Sequence, residues 1–163
     1  MVFTIKKAQY TNWQAFILVT LRVLIGWHFL YEGAVKLFDT NWSSEWYLLD
    51  SQGFMAGFFH ALASNPKILL IVDFLNIWGL ILIGAGLLLG LFTRLSAISA
   101  MVLLSLYYLS HPPLTGISFA LPNEGNYLIV DKNLIEIFSL AVLIVFPTGN
   151  IAGLDRLISK IKN

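Results

Sequence analysis

Glu32, Asp73 and Glu136 stand inside three separate stretches that are otherwise apolar. A charge in such a stretch costs about 2.5–3.5 kcal/mol on insertion scales, so each asks for a partner or a task. The sequence offers both. Arg22, His28 and Lys36 share the first stretch with Glu32, Asn76 follows Asp73 in the second, Tyr107, Tyr108 and His111 close another, and Asn133 precedes Glu136. His28, Glu32 and Lys36 are successive i, i+4 neighbours, so on a helix Glu32 reaches either the imidazole or the ammonium. With Arg22 they fall on one arc of about 120°. Carboxylates at one level repel one another unless a proton or a cation neutralises them. A cluster of this kind suits proton exchange with a bound redox molecule. Glu32, Asp73 and Glu136 are therefore the candidate catalytic residues. Arg22, His28, Lys36, Asn76, Tyr108, His111 and Asn133 are the candidate cofactor-binding residues. The competing reading is purely structural, because buried Asn, Glu–Lys and Glu–His contacts also tie helices together, at about 0.6 kcal/mol each.

The elements that must position these groups are membrane helices. Of 163 residues, 58% are apolar and 12% charged, against about 45–50% and about 25% in a soluble domain. That balance argues against a soluble enzyme, a disordered tail and a nucleic-acid binder. Zero cysteines exclude disulfides, thiolate metal sites and thiol catalysis within the chain, and no zinc spacing suggests a metal. Apolar segments at about 14–37, 68–92, 94–111 and 131–146 predict four spans in one domain covering 1–163. The expected architecture is all-α, an integral membrane four-helix bundle. Residues 53–64 are too short to span and suit an interfacial or re-entrant segment. Beyond the last span, Ile151, Leu154, Leu157, Ile158 and Ile161 oppose Arg156 and Lys160, which predicts a basic amphipathic C-terminal helix.

Orientation follows from the basic residues. Lys6, Lys7, Arg94, Arg156, Lys160 and Lys162 fall on one side of the four spans, and Lys36, Lys67 and Lys132 on the other. The positive-inside rule then places both termini in the cytoplasm of a cell, in a multi-pass protein of the cytoplasmic membrane. Counted from the outer helix ends, Glu32, Asp73 and Glu136 each lie about 7–8 Å deep. Three carboxylates on three helices thus share one expected layer near the outer leaflet. Gly79, Gly86 and Gly90 line one stripe of the second span and read as close helix packing. His28 and His111 differ in depth by about 10 Å, which disfavours a shared haem. No duplicated half or pair of broken helices points to a transporter.

Three groups of residues resemble a known pattern: Arg22, Gly26, Phe29, Glu32, Gly33 and Lys36; then Asn76, Gly79, Gly84, Gly90 and Arg94; then Glu124, Tyr127, Asp131 and Glu136. In order and spacing they resemble the DoxX-like family of small four-helix membrane proteins, over about residues 14–157. The resemblance implies a four-helix bundle and two functional precedents. One is the small membrane subunit of an archaeal thiosulfate:quinone oxidoreductase. The other is a non-catalytic membrane scaffold that holds oxidative-stress enzymes together. It brings no settled catalytic residues. Thiosulfate is a dianion and suits three carboxylates poorly, so a quinone headgroup and its protons are the better expected guests. The resulting expectation is a membrane subunit associated with quinone-linked redox chemistry, with quinone as cofactor. Its expected partners are the lipid bilayer and either a protein subunit or a second copy of the chain. The alternative is a scaffold or assembly partner for another protein complex.

Overall fold

The computed structural model describes residues 10–121 and 128–161. Lys6, Lys7, Glu124, Tyr127 and Lys162 lie outside the described residues. What is described is helical: α1 (Asn12–Phe38), α2 (Glu45–Leu49), α3 (Ala56–Ser64), α4 (Pro66–Leu89), α5 (Thr93–Ser110), α6 (Lys132–Val145) and α7 (Asp155–Ile161). The protein is a multi-pass membrane protein of the all-α class, in which α1, α4 and α5 are long and apolar enough to cross a bilayer. Trp13, Phe38 and Leu70 are 76%, 83% and 71% exposed, an outward-facing apolar surface that only lipid suits.

Local chemistry sets the helix boundaries. Thr11 and Gln14 form a reciprocal capping box that starts α1. Asn65 accepts from the Lys67 and Ile68 amides and Pro66 takes the first turn of α4, two residues before the expected start of that span. Asp131 accepts from the Leu134 amide and starts α6. Gly90 adopts a left-handed φ of 65° and ends α4. Phe92 follows with φ 48°, a conformation that strains a residue bearing a Cβ. Asp155 secures it from far along the chain, accepting from the Phe92 amide at 2.7 Å, the Thr93 amide at 3.1 Å and the Thr93 hydroxyl at 2.7 Å.

α1 packs along α4, α4 on α5, α5 on α6, and α6 returns to α1. This closes a four-helix ring around Phe29, Leu80, Leu87, Ala100 and Leu140. At 14 residues, α6 is the shortest of the four, rising about 21 Å against a hydrocarbon core of about 30 Å. The tightest seam is α1 against α4. A Cβ on Gly84 would run into the Leu30 backbone, and one on Gly26 would sit 2.8 Å from the Leu88 amide nitrogen. The expected glycine stripe packs closely at Gly86 and, against Gly153, at Gly90, and is corrected only at Gly79. Gly79 faces open space, Gly86 meets Ser96 of α5, and Gly90 is a helix stop. The seam that needs glycine lies one helix face away, at Gly84.

Segment 53–64 contains α3, which buries Phe59 and Ala63 against Leu48 of α2 in a small second core. α2, α3 and residues 111–121 cover one end of the bundle, here called the loop end. The opposite, terminal end carries the α4–α5 turn and α7.

Candidate functional site

The loop end holds a cavity of about 570 Å³, within the range of about 300–1,000 Å³ usual for small-molecule sites. Its wall draws on every helix of the ring. α1 supplies His28, Phe29, Glu32 and Lys36; α4 supplies Asn76 and Leu80; α5 supplies Leu104 and Tyr107; the start of α6 supplies Lys132 and Asn133. Trp42, Ser43, Ser44 and Tyr47 enter from the α1–α2 connection and α2, and His111 and Phe119 from the segment after α5.

Lys36 organises the floor. Its Nζ donates to Asn76 Oδ1 at 3.1 Å and lies 3.9 Å from Glu32 Oε2. The same ammonium stands 5.1 Å from the Trp42 ring and 5.8 Å from the Tyr107 ring, close enough for cation–π attraction. Asn76 Nδ2 donates to the Tyr107 hydroxyl at 2.7 Å, which leaves the phenolic proton free to be donated elsewhere. On the far wall, His111 stacks between Tyr47 at 4.0 Å and Phe119 at 4.6 Å. Its Nδ1 lies 3.1 Å from the Ser110 hydroxyl, and its Nε2 is buried without a hydrogen bond, 3.7 Å from Asp50 Oδ2.

Asp50 in turn accepts from the Ala120 and Leu121 amides, both at 2.9 Å, and so pins the segment that carries Phe119. Burial lowers the His111 ring below the usual imidazole range, against the opposing pull of Asp50. Burial alone would raise the Asp50 carboxyl, but the Leu121 and Ala120 amides and then His111 outweigh it and hold the group below the usual carboxylate range. Burial, and next Tyr107, pushes the Tyr47 phenol above its usual range. At neutral pH this wall therefore carries a neutral imidazole, an ionised Asp50 and a protonated phenol.

Of the expected site residues, the cavity wall gathers His28, Glu32, Lys36, Asn76, His111 and Asn133. Four others stand elsewhere. Asp73 lies behind the wall. It accepts from the Ser43 hydroxyl at 2.9 Å, the Ser44 amide at 2.9 Å and the Ser44 hydroxyl at 2.5 Å, which holds the entry to α2. Glu136 bridges α6 to α1, with Oε1 at 3.2 Å from His28 Nδ1. Tyr108 points away from Tyr107, as adjacent helical residues must, and donates to the Ile129 carbonyl at 2.8 Å. Arg22 lies at the terminal end, buried at 3% exposure. It donates to Thr148 Oγ1 at 3.1 Å and to the Ala152 carbonyl at 2.6 Å, and its 14-residue separation from Lys36 corresponds to about 21 Å of helix. The mutual repulsion expected of Glu32, Asp73 and Glu136 does not arise as such, because each has its own partner: Lys36, the two serines and His28.

Tyr107, expected at this end together with Tyr108 and His111, stands in the wall where Tyr108 does not, whereas sequence reasoning missed Trp42, Tyr47 and Phe119 as wall residues. Tyr107 had a signal, since it lies one turn before His111 and one after Leu104 on the same face. The other three arrive on short or irregular segments that periodicity does not reach.

A family model, DoxX, matches residues 17–111, from α1 to the residue that caps α5. The third group of resembling residues, 124–136, lies outside that match. No curated protein and no solved structure matches the chain.

Proposed function

Because the chain belongs to the DoxX family of membrane proteins, we propose that the loop-end cavity is a quinone site and that the protein is the membrane subunit of a quinone-linked oxidoreductase. The observation that carries this reading is the Lys36–Asn76–Tyr107 chain, which presents donors into an apolar chamber walled by flat rings. A quinone needs those features. Its carbonyl oxygens accept from an ammonium and a phenol, and its ring lies against Trp42 and Tyr47. When bound, the quinone supplies two-electron chemistry coupled to proton uptake. The chain's own residues orient the head, exclude bulk water and hold protons at Lys36 Nζ and Tyr107 Oη. Electrons come from a partner protein, which docks at the loop end in this reading. Trp46 and Phe54, 73% and 84% exposed on that face, also favour a second reading, a scaffold that recruits a partner without chemistry of its own.

The proposal includes a cytoplasmic-membrane location with both termini inside. A cysteine at Gln52 then reacts with an impermeant thiol reagent added to intact cells, and one at Lys160 does not. The functional test is purification in mild detergent followed by solvent extraction. Stoichiometric quinone supports the redox reading. A bare protein that binds no added quinone, yet copurifies with soluble enzymes, rejects it for the scaffold.

A further inference from the structure

The cavity and the bilayer meet along the seam between α1 and α6. On the cavity side of this seam stand His28 and Glu32 of α1 and Lys132 and Asn133 at the start of α6. On its outer side runs an apolar groove lined by Leu21 of α1 together with Val130, Leu134, Ile135, Phe138 and Val142. Ser139 also touches the groove, but its hydroxyl proton is donated back to the Ile135 carbonyl, so the wall offers no side-chain donor and only the Ser139 oxygen as an acceptor. The His28–Glu136 contact crosses between cavity and groove at 3.2 Å. Phe138, Ile135 and Val130 are 66%, 60% and 55% exposed. The α1–α4 seam, by contrast, is closed by backbone contact at Gly84.

We infer that the α1–α6 seam is a lateral entrance from the bilayer, with His28–Glu136 as its latch and the groove as the subsite for the apolar tail of a quinone whose head sits in the cavity. The inference rests on the quinone reading above and adds where the tail lies and how the ligand arrives. Chemistry selects the occupant. An almost wholly apolar lining suits an isoprenoid chain and disfavours an extended peptide, whose backbone groups would go unpaired. Along α6 the groove runs from Leu134 to Val142, about 12 Å by helix rise, with Val130 just ahead of the helix, comparable to half of a hydrocarbon core of about 30 Å. A membrane-dissolved quinone already carries its tail in that layer, so entry between the helices avoids passing the tail through water. Opening the latch separates His28 from Glu136, and among the described residues no backbone hydrogen bond joins α1 to α6.

The test uses the full chain in lipid nanodiscs and two probes: a polyisoprenyl benzoquinone supplied in the lipid, and a tail-less dimethoxybenzoquinone added from water. Binding is followed by tryptophan quenching, for which Trp42 in the cavity wall is the reporter. Ser139→Phe fills the groove without altering the cavity, and Phe138→Ala removes one wall as a second, milder perturbation. The inference expects Ser139→Phe to weaken the tailed probe at least about tenfold and Phe138→Ala about threefold, while the tail-less probe binds both variants as it binds the parent. Equal binding of the tailed probe to all three proteins overturns the groove and leaves it covered by annular lipid. Equal weakening of both probes also overturns it, since the damage then lies in the cavity. Failure of both probes to bind the parent protein overturns the quinone reading and the tail subsite together.

Discussion

At the terminal end, charge is sealed in: the Arg22 guanidinium is 3% exposed and is held by Thr148 and the Ala152 carbonyl. Asp155 spends both oxygens on Phe92 and Thr93, and Gly90 and Gly153 approach so closely that neither accepts a Cβ. At the loop end, charge borders open space. Glu32 and His28 are half exposed, Lys36 makes one hydrogen bond among the described residues, and these side chains line a cavity of about 570 Å³. The same four helices therefore build a lock at one end and a receptacle at the other. The difference teaches that a charge sealed among protein partners signals stability, as at Arg22 even with its Nε buried unpaired, and that a charge bordering a cavity signals recognition.

The largest expected effect breaks the lock. Asp155→Ala removes the acceptor of three donors and leaves the left-handed Phe92 without its tether. Hydrogen bonds to an ionised group contribute about 1.5–3 kcal/mol, so thermal unfolding in detergent should show a loss of about 3 kcal/mol, with ligand binding at the loop end unchanged. A shift under about 0.5 kcal/mol would mean that the strap is ornamental.

A smaller effect sharpens the boundary of the receptacle. Asp73→Asn keeps one acceptor for Ser43 or Ser44 and loses the charge, so stability should fall by about 1 kcal/mol while quinone binding and any quinone-linked turnover stay within about twofold. Lost turnover at preserved stability would restore Asp73 to the reacting set.

The smallest effect is a pH slope. The folded His111 ring binds its proton less readily than in the unfolded chain, so its contribution is complete above the ordinary value of 6.5 and declines as the pH falls through and below it. Asp50 has the same sign at lower pH, with its contribution complete above 3.8 and lost as the pH falls below that. Relative to His111→Phe, which keeps the stack between Tyr47 and Phe119, the melting temperature of the parent should therefore fall more, or rise less, between pH 7.5 and pH 5.5. An unchanged slope in the variant would remove His111 as its source.

The helices were legible in the sequence because apolar runs bounded by Asn65-Pro66, Gly90 and Asp131 state their own ends, although of the four expected spans three, α1, α4 and α5, are long and apolar enough to cross a bilayer among the described residues. The polar face of α1 was legible as well, since His28, Glu32 and Lys36 recur at one helical spacing. What periodicity does not carry is the chain that returns from outside the helices. Asp73 was read as part of a carboxylate layer because Ser43 and Ser44, which occupy it, lie on an irregular connection. Arg22 was read with the upper cluster because its arc on α1 was known, while Thr148 and Ala152 come from the segment after α6. α2, five residues long, leaves no periodic trace, and with it Tyr47 went unseen. Helical angle and depth locate a side chain on its own element; only the tertiary fold shows what fills the space in front of it.

The central claim is that ligand recognition resides in the Lys36–Asn76–Tyr107 chain and not in the buried charges of the opposite end. Titrating the tail-less quinone into Lys36→Met and Asp155→Ala, side by side with the parent protein, tests it most directly. The account predicts that Lys36→Met raises the Kd at least about tenfold, or about 1.4 kcal/mol, with little change in melting temperature, and that Asp155→Ala melts early but binds as the parent does. Unchanged affinity in Lys36→Met would contradict it.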